Sequence, residues 1–335
     1  MTVTMTRRLA PVAIVLLLLT VPSAVAAYLK IGVQVGANVI ALKWKAFPVR
    51  YMVTNRAVQG VTAAQLQTAL AASFDAWTTV PNVAMSTQFV GFTAIDPSVD
   101  SGQTVLGFEA HPEEDRVLGS TSWEFDSAGN PIASHIYLNT IFPWSVSSAG
   151  EAGRFDVQSI GTHEIGHLFG LSHSALGETT QQSGGRSVQG KAAVMFPIAY
   201  PPRTTLDRAL KPDDVAGISD LYGTPALSQQ NGQISGRVTL NGGGLFGAHV
   251  SAFNQRNGAI VGGFALDSAG AFVIGGLEPG LYLVRAEPLD DADIDSFFET
   301  GTVVNINFRA TYYSKLVAVP AGGASSQIEI KVASK

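Results

Sequence analysis

The eleven residues HEIGHLFGLSH, from His163 to His173, contain three of the six histidines in the chain. On an α-helix, residues four apart project from the same face one turn apart, so His163 and His167 can direct their imidazoles at one point. A continued helix would carry His173 away from that point, so the chain has to turn. Gly170 predicts this turn, because glycine adopts the left-handed conformation without a steric penalty. The segment therefore predicts a helix, a reversal and three converging histidines.

Three histidines at these spacings predict a catalytic zinc site, in which three protein ligands leave the fourth position open. Glu164 follows the first histidine, where its carboxylate can hold a water, take its proton and pass it to a leaving amine. The alternative is a set of ordinary hydrogen-bonded histidines, but HExxH followed by a glycine and a third histidine favours a metal. His111, His135 and His249 are isolated, so we expect no metal role for them.

The composition is that of a globular protein with 335 residues, 46% of them hydrophobic and 14% charged, and a net charge of -5. This length predicts two domains. No run of Lys or Arg stands out, which argues against nucleic-acid binding and against an anionic membrane surface. The chain contains no cysteine, so disulfides cannot stabilise it.

The N-terminal segment has two arginines, an apolar run from Leu9 to Val21 and small residues beyond it. This pattern is typical of a secretory signal peptide, which we place at residues 1–26. A membrane anchor is the alternative, but the apolar run is shorter than the roughly 20 residues that a spanning helix needs. We therefore predict a secreted, monomeric protein whose mature form has no membrane span.

Residues 27–226 read as one α+β domain. Thr62 opens a capping box before an amphipathic helix, and β-rich runs before it and between Met85 and Thr140 predict the strands of one sheet. A second helix begins near Asp156, and a third begins at Pro212. The intervening segment from Ser174 to Thr205 is interpreted as a loop.

The C-terminal part has a different character. Residues 227–233 are interpreted as a polar linker, and residues 234–335 contain short strands separated by glycine-rich turns. Closely spaced short strands of this kind predict an all-β sandwich domain.

Three motifs resemble a known family. HEIGHLFGLSH with Met195 in AVMFP, 22 residues after His173, is similar to the metzincin signature. DVQSIGTHEIGHLFGLSHS, AVMFP and LKPDDVAGISDLYG together resemble the matrixins, and looser similarity extends over residues 40–224. The resemblance implies a metzincin-type domain, with a twisted mixed sheet and three helices, that hydrolyses peptide bonds. ISGRVTL and LEPGLYLVRAEP resemble the carboxypeptidase-regulatory-like, transthyretin-type β-sandwich.

The resemblance also implies roles for single residues. The zinc ligands would be the three histidines of the motif, His163, His167 and His173, and Glu164 would act as general base and then as general acid. Met195 would lie beneath the zinc, with Asp214 bracing its turn.

Two further segments would bind the substrate. The strand around Val117 to Phe125 resembles the edge strand that pairs with an extended peptide. Pro197 and Tyr200 would wall the specificity pocket, although Pro-Ile-Ala-Tyr here replaces the family's Pro-x-Tyr.

Two departures concern latency and metals. The chain has no cysteine for the propeptide switch of animal matrixins. We expect one zinc per chain, because His111 and His135 do not complete a second zinc site. Calcium is a further ion that the resemblance allows, with Asp126 and Asn130 as candidate ligands, and an ordinary turn is the alternative for those two residues.

Two functions follow from these patterns. The first is a secreted zinc endopeptidase acting on a protein or peptide substrate. The second is a non-catalytic secreted surface or binding protein with a structural metal site. Glu164 favours the first, because a purely structural site has no need of that carboxylate.

Overall fold

The computed structural model describes residues 30–35, 38–183 and 185–335. The predicted signal peptide lies outside these residues. No helix in the described parts of the chain is long and apolar enough to cross a membrane.

The first part of the chain mixes strands and helices. In chain order its elements are β1 (Gly32–Val35), β2 (Asn38–Ala41), β3 (Val49–Thr54), α1 (Ala63–Thr78), β4 (Thr87–Thr93), β5 (Thr104–Glu109), β6 (Gly119–Phe125), β7 (Pro131–Asn139), β8 (Trp144–Ser145), β9 (Phe155–Asp156), α2 (Val157–Leu168), β10 (Gly177–Gln182), β11 (Gly185–Lys191), a 3-10 helix (Leu206–Arg208) and α3 (Pro212–Tyr222).

The second part consists mainly of strands. Its elements are α4 (Pro225–Gln230), β12 (Gly232–Leu240), β13 (Gly243–Gly244), β14 (His249–Asn254), β15 (Ile260–Phe264), β16 (Ala271–Leu277), β17 (Gly280–Glu287), a 3-10 helix (Ile294–Ser296), β18 (Thr311–Tyr312), β19 (Val317–Val319) and β20 (Ile328–Val332). The predicted α+β class is confirmed.

The central sheet of the first part has five strands in the order β4-β3-β5-β7-β6. The first four strands of that order run parallel, and β6 pairs antiparallel with β7. The sheet is therefore mixed, as predicted, and β6 lies at its edge. An edge strand presents unpaired main-chain groups, which makes it the place where an extended peptide can add to a sheet.

Helix α1 begins with the predicted capping box. The Thr62 side chain accepts a hydrogen bond from the main-chain N–H of Gln65, and the Gln65 side chain accepts one from the main-chain N–H of Thr62. These bonds satisfy two of the N–H groups that a helix leaves unpaired at its first turn. The apolar stripe of α1 is buried in the core of the first part, with Trp77 fully buried.

Helix α2 packs against α1. The indole nitrogen of Trp77 donates to the carbonyl of Thr162 at 2.9 Å, and Ser73 Oγ donates to the carbonyl of Gln158 at 3.0 Å. Asp156 is the N-cap, as predicted, and its carboxylate accepts from the N–H of Ser159. These contacts fix the position of α2 against α1 and its rotation about its own axis. The rotation determines the direction in which His163 and His167 project.

The chain reverses after α2 at Gly170, whose φ is +98°. A Cβ at this position would overlap the carbonyl oxygen of Leu42. The left-handed backbone and the close approach of another chain segment both require glycine. The reversal inferred from the sequence is thus present.

Two segments differ from their sequence interpretation. The segment predicted as a loop between Ser174 and Thr205 contains the antiparallel hairpin of β10 and β11. The segment predicted as a polar linker, residues 227–233, overlaps α4, which begins at Pro225 and ends at Gln230. Pro225 is at the start of this helix, where proline is favoured because its missing N–H would be unpaired there in any case.

The second part forms two sheets around its own hydrophobic core. In one sheet β12 pairs with β13, β16 and β20, and in the other the order is β15-β14-β17-β18, with β19 also on β17. The transthyretin-type sandwich stays a prediction.

The two parts of the chain share a further hydrophobic cluster. Val188 and Phe196 from the first part pack with Phe264, Phe297 and Phe298 from the second. These side chains are buried, so the cluster excludes water between the two parts. Burial of aromatic side chains is a large favourable term in packing, so this contact holds the two parts in one arrangement.

Candidate active site

The three histidines of the motif converge at the floor of a cleft. Nε2 of His167 lies 3.1 Å from Nε2 of His163 and 3.2 Å from Nε2 of His173. Tetrahedral zinc with Zn–N distances of about 2.0–2.1 Å requires N···N separations of about 3.3 Å. The spacing of the three nitrogens is therefore close to that of a zinc site.

The other nitrogen of each ring faces a main-chain carbonyl. Nδ1 of His163 lies 2.8 Å from the carbonyl oxygen of Val194, and Nδ1 of His167 lies 2.7 Å from that of Leu171. Nδ1 of His173 lies 2.6 Å from the carbonyl oxygen of Ser296. Because a carbonyl only accepts, each Nδ1 must carry the proton, which leaves the lone pair on Nε2.

This arrangement tests whether the site fits a metal. Three Nε2 lone pairs face one another with no hydrogen between them, which is unfavourable unless a cation lies at their centre. Three neutral imidazoles oriented by Nδ1 hydrogen bonds to carbonyls are the donor set that suits zinc. The residues present therefore fit a three-histidine zinc site.

Burial keeps the three rings neutral. It lowers the pKa of His167 to about 3 and that of His173 to about 4, and it lowers the pKa of His163 well below its ordinary value. Repulsion between neighbouring imidazolium charges adds to the effect for His163 and His167. Metal ligation by histidine requires the neutral ring, so no proton has to be displaced at neutral pH.

Glu164 lies beside the histidines and is only 5% exposed. Its Oε2 accepts a hydrogen bond of 2.7 Å from the hydroxyl of Thr121 on the edge strand β6. Burial raises the pKa of Glu164 to about 7, and the bond from Thr121 partly opposes that rise. A Cβ on Gly119 would lie 3.2 Å from Cγ of Glu164, so the strand approaches the carboxylate closely.

Met195 is fully buried. A Cβ on Gly166 would overlap the sulfur of Met195, so the glycine lets the methionine pack directly on α2. Asp214 accepts from the N–H of Val194 at 2.8 Å and from the N–H of Met195 at 3.1 Å. The Asp214 carboxylate thus binds the main chain at Met195, and the support of a zinc site by these two residues stays a prediction.

The cleft above the histidines has a volume of about 660 Å³. The start of β6 and residues 197–199 are both part of its lining. Pro197 therefore faces the cleft, but Tyr200 does not line it. The Tyr200 hydroxyl instead accepts from the N–H of Lys191 at 3.1 Å. In Pro-Ile-Ala-Tyr, one residue more separates the proline from the tyrosine than in Pro-x-Tyr.

Several residues at the site were not identified from the sequence. Thr121 lies within the predicted edge strand, but a single threonine is not part of any sequence motif that would indicate a contact with Glu164. Asp293, Asp295 and Ser296 line the cleft from the second part of the chain. No sequence signal connects Ser296 to His173, because 123 residues separate them.

The remaining histidines lie apart from this centre. His111 clusters with Glu113 and Glu114, and His135 clusters with Asp100 and Glu124. His135 Nε2 lies 2.8 Å from Glu124 Oε1, an oxygen that also accepts from two main-chain N–H groups. Glu124 is therefore already bound to protein groups, which is the ordinary hydrogen-bonded arrangement expected for an isolated histidine.

His249, for which no metal role is expected, and the candidate calcium ligands Asp126 and Asn130 also lie apart from the three histidines. His249 is buried in the second part, with Nδ1 3.1 Å from Glu287. Asp126 accepts from the N–H groups of Ala128 and Asn130 and from the Asn130 side chain. These bonds are those of a turn, and calcium binding there stays a prediction.

A three-histidine centre with a neighbouring carboxylate, beneath the edge strand of a mixed sheet, defines a metallopeptidase-like protein. The sequence profile of the matrixins (peptidase M10) matches residues 43–223, just over half of the chain. The chain therefore belongs to the matrixin family.

Curated relatives include plant proteins named metalloendoproteinases and one bacterial protein, karilysin. Metalloendoproteinase 1-MMP of Arabidopsis thaliana is 28% identical over 54% of this chain and 44% of its own length. Metalloendoproteinase 1 of Glycine max is 29% identical over 47% of this chain and 45% of its own length. Karilysin of Tannerella forsythia is 32% identical over 29% of this chain and 16% of its own length. The chain thus spans less than half the length of these relatives.

Among solved structures, the Bacillus anthracis TIE protein aligns with 31% of this chain and 17% of that chain. The TM-score is 0.23 and the identity 15%, so this likeness carries no argument.

Proposed function

We propose that this chain is a secreted zinc endopeptidase that cleaves protein or peptide substrates. The observation that carries the proposal is the convergence of the Nε2 atoms of His163, His167 and His173, each ring oriented by a carbonyl at Nδ1. A zinc ion bound there supplies a Lewis acid that polarises a carbonyl and acidifies a water.

Glu164 is the proton-transfer group in this proposal. As the oxygen of a water adds to the scissile carbonyl carbon, a carboxylate oxygen of Glu164 accepts a proton from that water. The carboxyl group then gives the proton to the amide nitrogen as the C–N bond breaks, so one water is consumed and an acid and an amine form. Thr121 orients the carboxylate through its hydrogen bond to Oε2.

The edge strand β6 offers the means of holding an extended peptide. In the described residues β6 pairs with β7 alone, so its outer edge has main-chain groups available to a substrate strand. A peptide added there runs through the cleft above the histidines, which Pro197 also lines. Main-chain hydrogen bonds of this kind give affinity without demanding one sequence, which suits an endopeptidase.

Metal analysis and a cleavage assay test the proposal. The full chain is expected to contain one zinc, to cleave casein, to lose that activity with a chelator and to regain it with zinc. A chain that binds zinc but cleaves neither casein nor a mixture of denatured proteins would favour the second function, a secreted binding protein with a structural metal. A second zinc per chain would contradict the single site.

A further inference from the structure

A segment of the second part of the chain lies over the metal centre of the first. Residues 289–298, here called the cleft segment, follow the strand β17 and include the 3-10 helix Ile294–Ser296. Asp293, Asp295 and Ser296 of this segment line the same cleft as the three histidines. The second part is therefore not a separate appendage, because it supplies one wall of the site.

Hydrophobic packing anchors the cleft segment to the first part. Leu289, Ala292, Phe297 and Phe298 are all buried in the cluster shared by the two parts. Their partners include Phe196, which directly follows Met195. The segment is thus packed against the residue that follows Met195.

Hydrogen bonds anchor the other end of the segment to the β10–β11 hairpin. The N–H of Thr179 donates to Asp291 Oδ1 at 2.7 Å, and its hydroxyl donates to the Asp291 carbonyl at 2.8 Å. Arg186 Nη1 donates to the carbonyl of Asp290 at 2.7 Å. With both ends held, the position of Ser296 between them is determined.

The carbonyl of Ser296 is the acceptor for Nδ1 of His173, at 2.6 Å. The corresponding acceptors for His163 and His167 are Val194 and Leu171, which both belong to the first part. His173 alone depends on the second part of the chain for its orientation. It is also the ligand that follows the reversal at Gly170, so no helix holds it.

We infer that the cleft segment is a positioning element of the metal centre, in which the Ser296 carbonyl holds His173 in the ring orientation and tautomer that bind zinc. This inference rests on the proposed function and gives the second part of the chain a role within it. Acceptors of this kind raise the basicity of a ligand and fix its ring, and their loss typically weakens metal binding by about 10–100-fold.

The test uses the full chain with residues 293–298 replaced by alternating glycine and serine. The replacement removes the phenylalanine anchors and the fixed carbonyl, and leaves His173 unchanged. Zinc affinity is measured by competition with a chelator, and the visible spectrum of the cobalt-substituted protein reports the geometry of the ligands. As a matched control, the exposed turn at residues 255–258, in the same part of the chain, is replaced in the same way.

We expect the replacement to weaken zinc binding by about 10–100-fold and to change the cobalt spectrum, while the control matches the wild type. Zinc affinity within about threefold of the wild type, with an unchanged spectrum, would overturn the inference.

If circular dichroism shows that the replacement variant is unfolded, the test uses Asp291→Ala in the full chain instead. Its zinc affinity and its cobalt spectrum are then measured in the same way. This change removes the carboxylate that Thr179 binds. We expect the same weakening of zinc binding, and a zinc affinity within about threefold of the wild type with an unchanged spectrum would overturn the inference. A wild-type chain that binds no zinc would overturn the proposed function itself, and this inference with it.

Discussion

The hydroxyl of Thr121 donates a hydrogen bond to Oε2 of Glu164 at 2.7 Å and so links the edge strand to the carboxylate beside the histidines. The bond joins two elements with different proposed functions, because β6 is the proposed substrate strand and α2 carries two of the three proposed metal ligands, His163 and His167. In the proposed function, a peptide that pairs with β6 lies next to the proposed proton-transfer group, Glu164.

Thr121→Val removes this hydrogen bond and keeps the shape of the side chain. We expect kcat to fall about 10-fold with little change in KM, because the carboxylate loses its orientation while the outer edge of β6 stays intact. Peptide hydrolysis under steady-state conditions measures the change. Thr121→Ser, which keeps the hydroxyl, is the control, and equal kcat for the valine variant and the wild type would show that the bond has no catalytic role.

Glu164→Gln keeps the size of the side chain and removes its ability to accept and return a proton. We expect bound zinc to be retained and cleavage to fall by at least about 10²–10⁴-fold. Zinc content and peptide hydrolysis are measured on the same preparation. Substantial cleavage by the glutamine variant would contradict the role proposed for Glu164.

Asp214→Asn tests the support of the turn at Met195. The buried Asp214 carboxylate accepts from the N–H groups of Val194, Met195 and Lys211. In asparagine an NH₂ group replaces one of the two carboxylate oxygens, so at least one of these N–H groups would face a donor and lose its acceptor. We therefore expect the free energy of unfolding to fall by about 2–4 kcal/mol. Urea denaturation measures it.

Asp220→Asn, on the same helix, is the control for this prediction. Asp220 forms a partly exposed ion pair with Lys30, and its loss should cost less than about 1 kcal/mol. Equal effects of the two substitutions would contradict a special role for Asp214.

Gly170→Ala tests the reversal that returns His173 to the metal. The positive φ and the overlap of an added Cβ with the Leu42 carbonyl both oppose alanine. We expect a loss of about 2 kcal/mol or more in the free energy of unfolding, together with weaker zinc binding. Gly190→Ala is the matched control, because a Cβ there meets nothing within 4 Å. A Gly170→Ala protein as stable as this control would show that the reversal does not require glycine.

We predict that the protein prefers basic peptide substrates, because Asp293 and Asp295 place two negative charges at the cleft. Both carboxylates are exposed, line the cleft beside Ser296 and form no ion pair within the described residues. Replacing both by asparagine should raise KM by about 2–10-fold for peptides whose lysine or arginine lies near these carboxylates, and leave neutral peptides unchanged. Asp75→Asn, on the exposed face of α1, should change neither. A cleavage profile with no charge dependence would contradict this prediction.

The local features of the fold were predictable because their causes are local. Caps, apolar periodicity and the N-terminal proline of α3 each act within a few residues, and the structure confirms the three predicted helices. The β10–β11 hairpin was missed, because its polar strands derive their stability from each other and from contacts such as that between Thr179 and Asp291.

The sequence by itself determined the cluster of His163, His167 and His173, since the helix period and one glycine suffice to bring them together. It did not determine what orients the third ligand. That depended on the packing of the two parts of the chain, which brings the carbonyl of Ser296 to His173 across 123 residues. A main-chain carbonyl is present at every residue and carries no sequence signal, so only the tertiary structure could select this one.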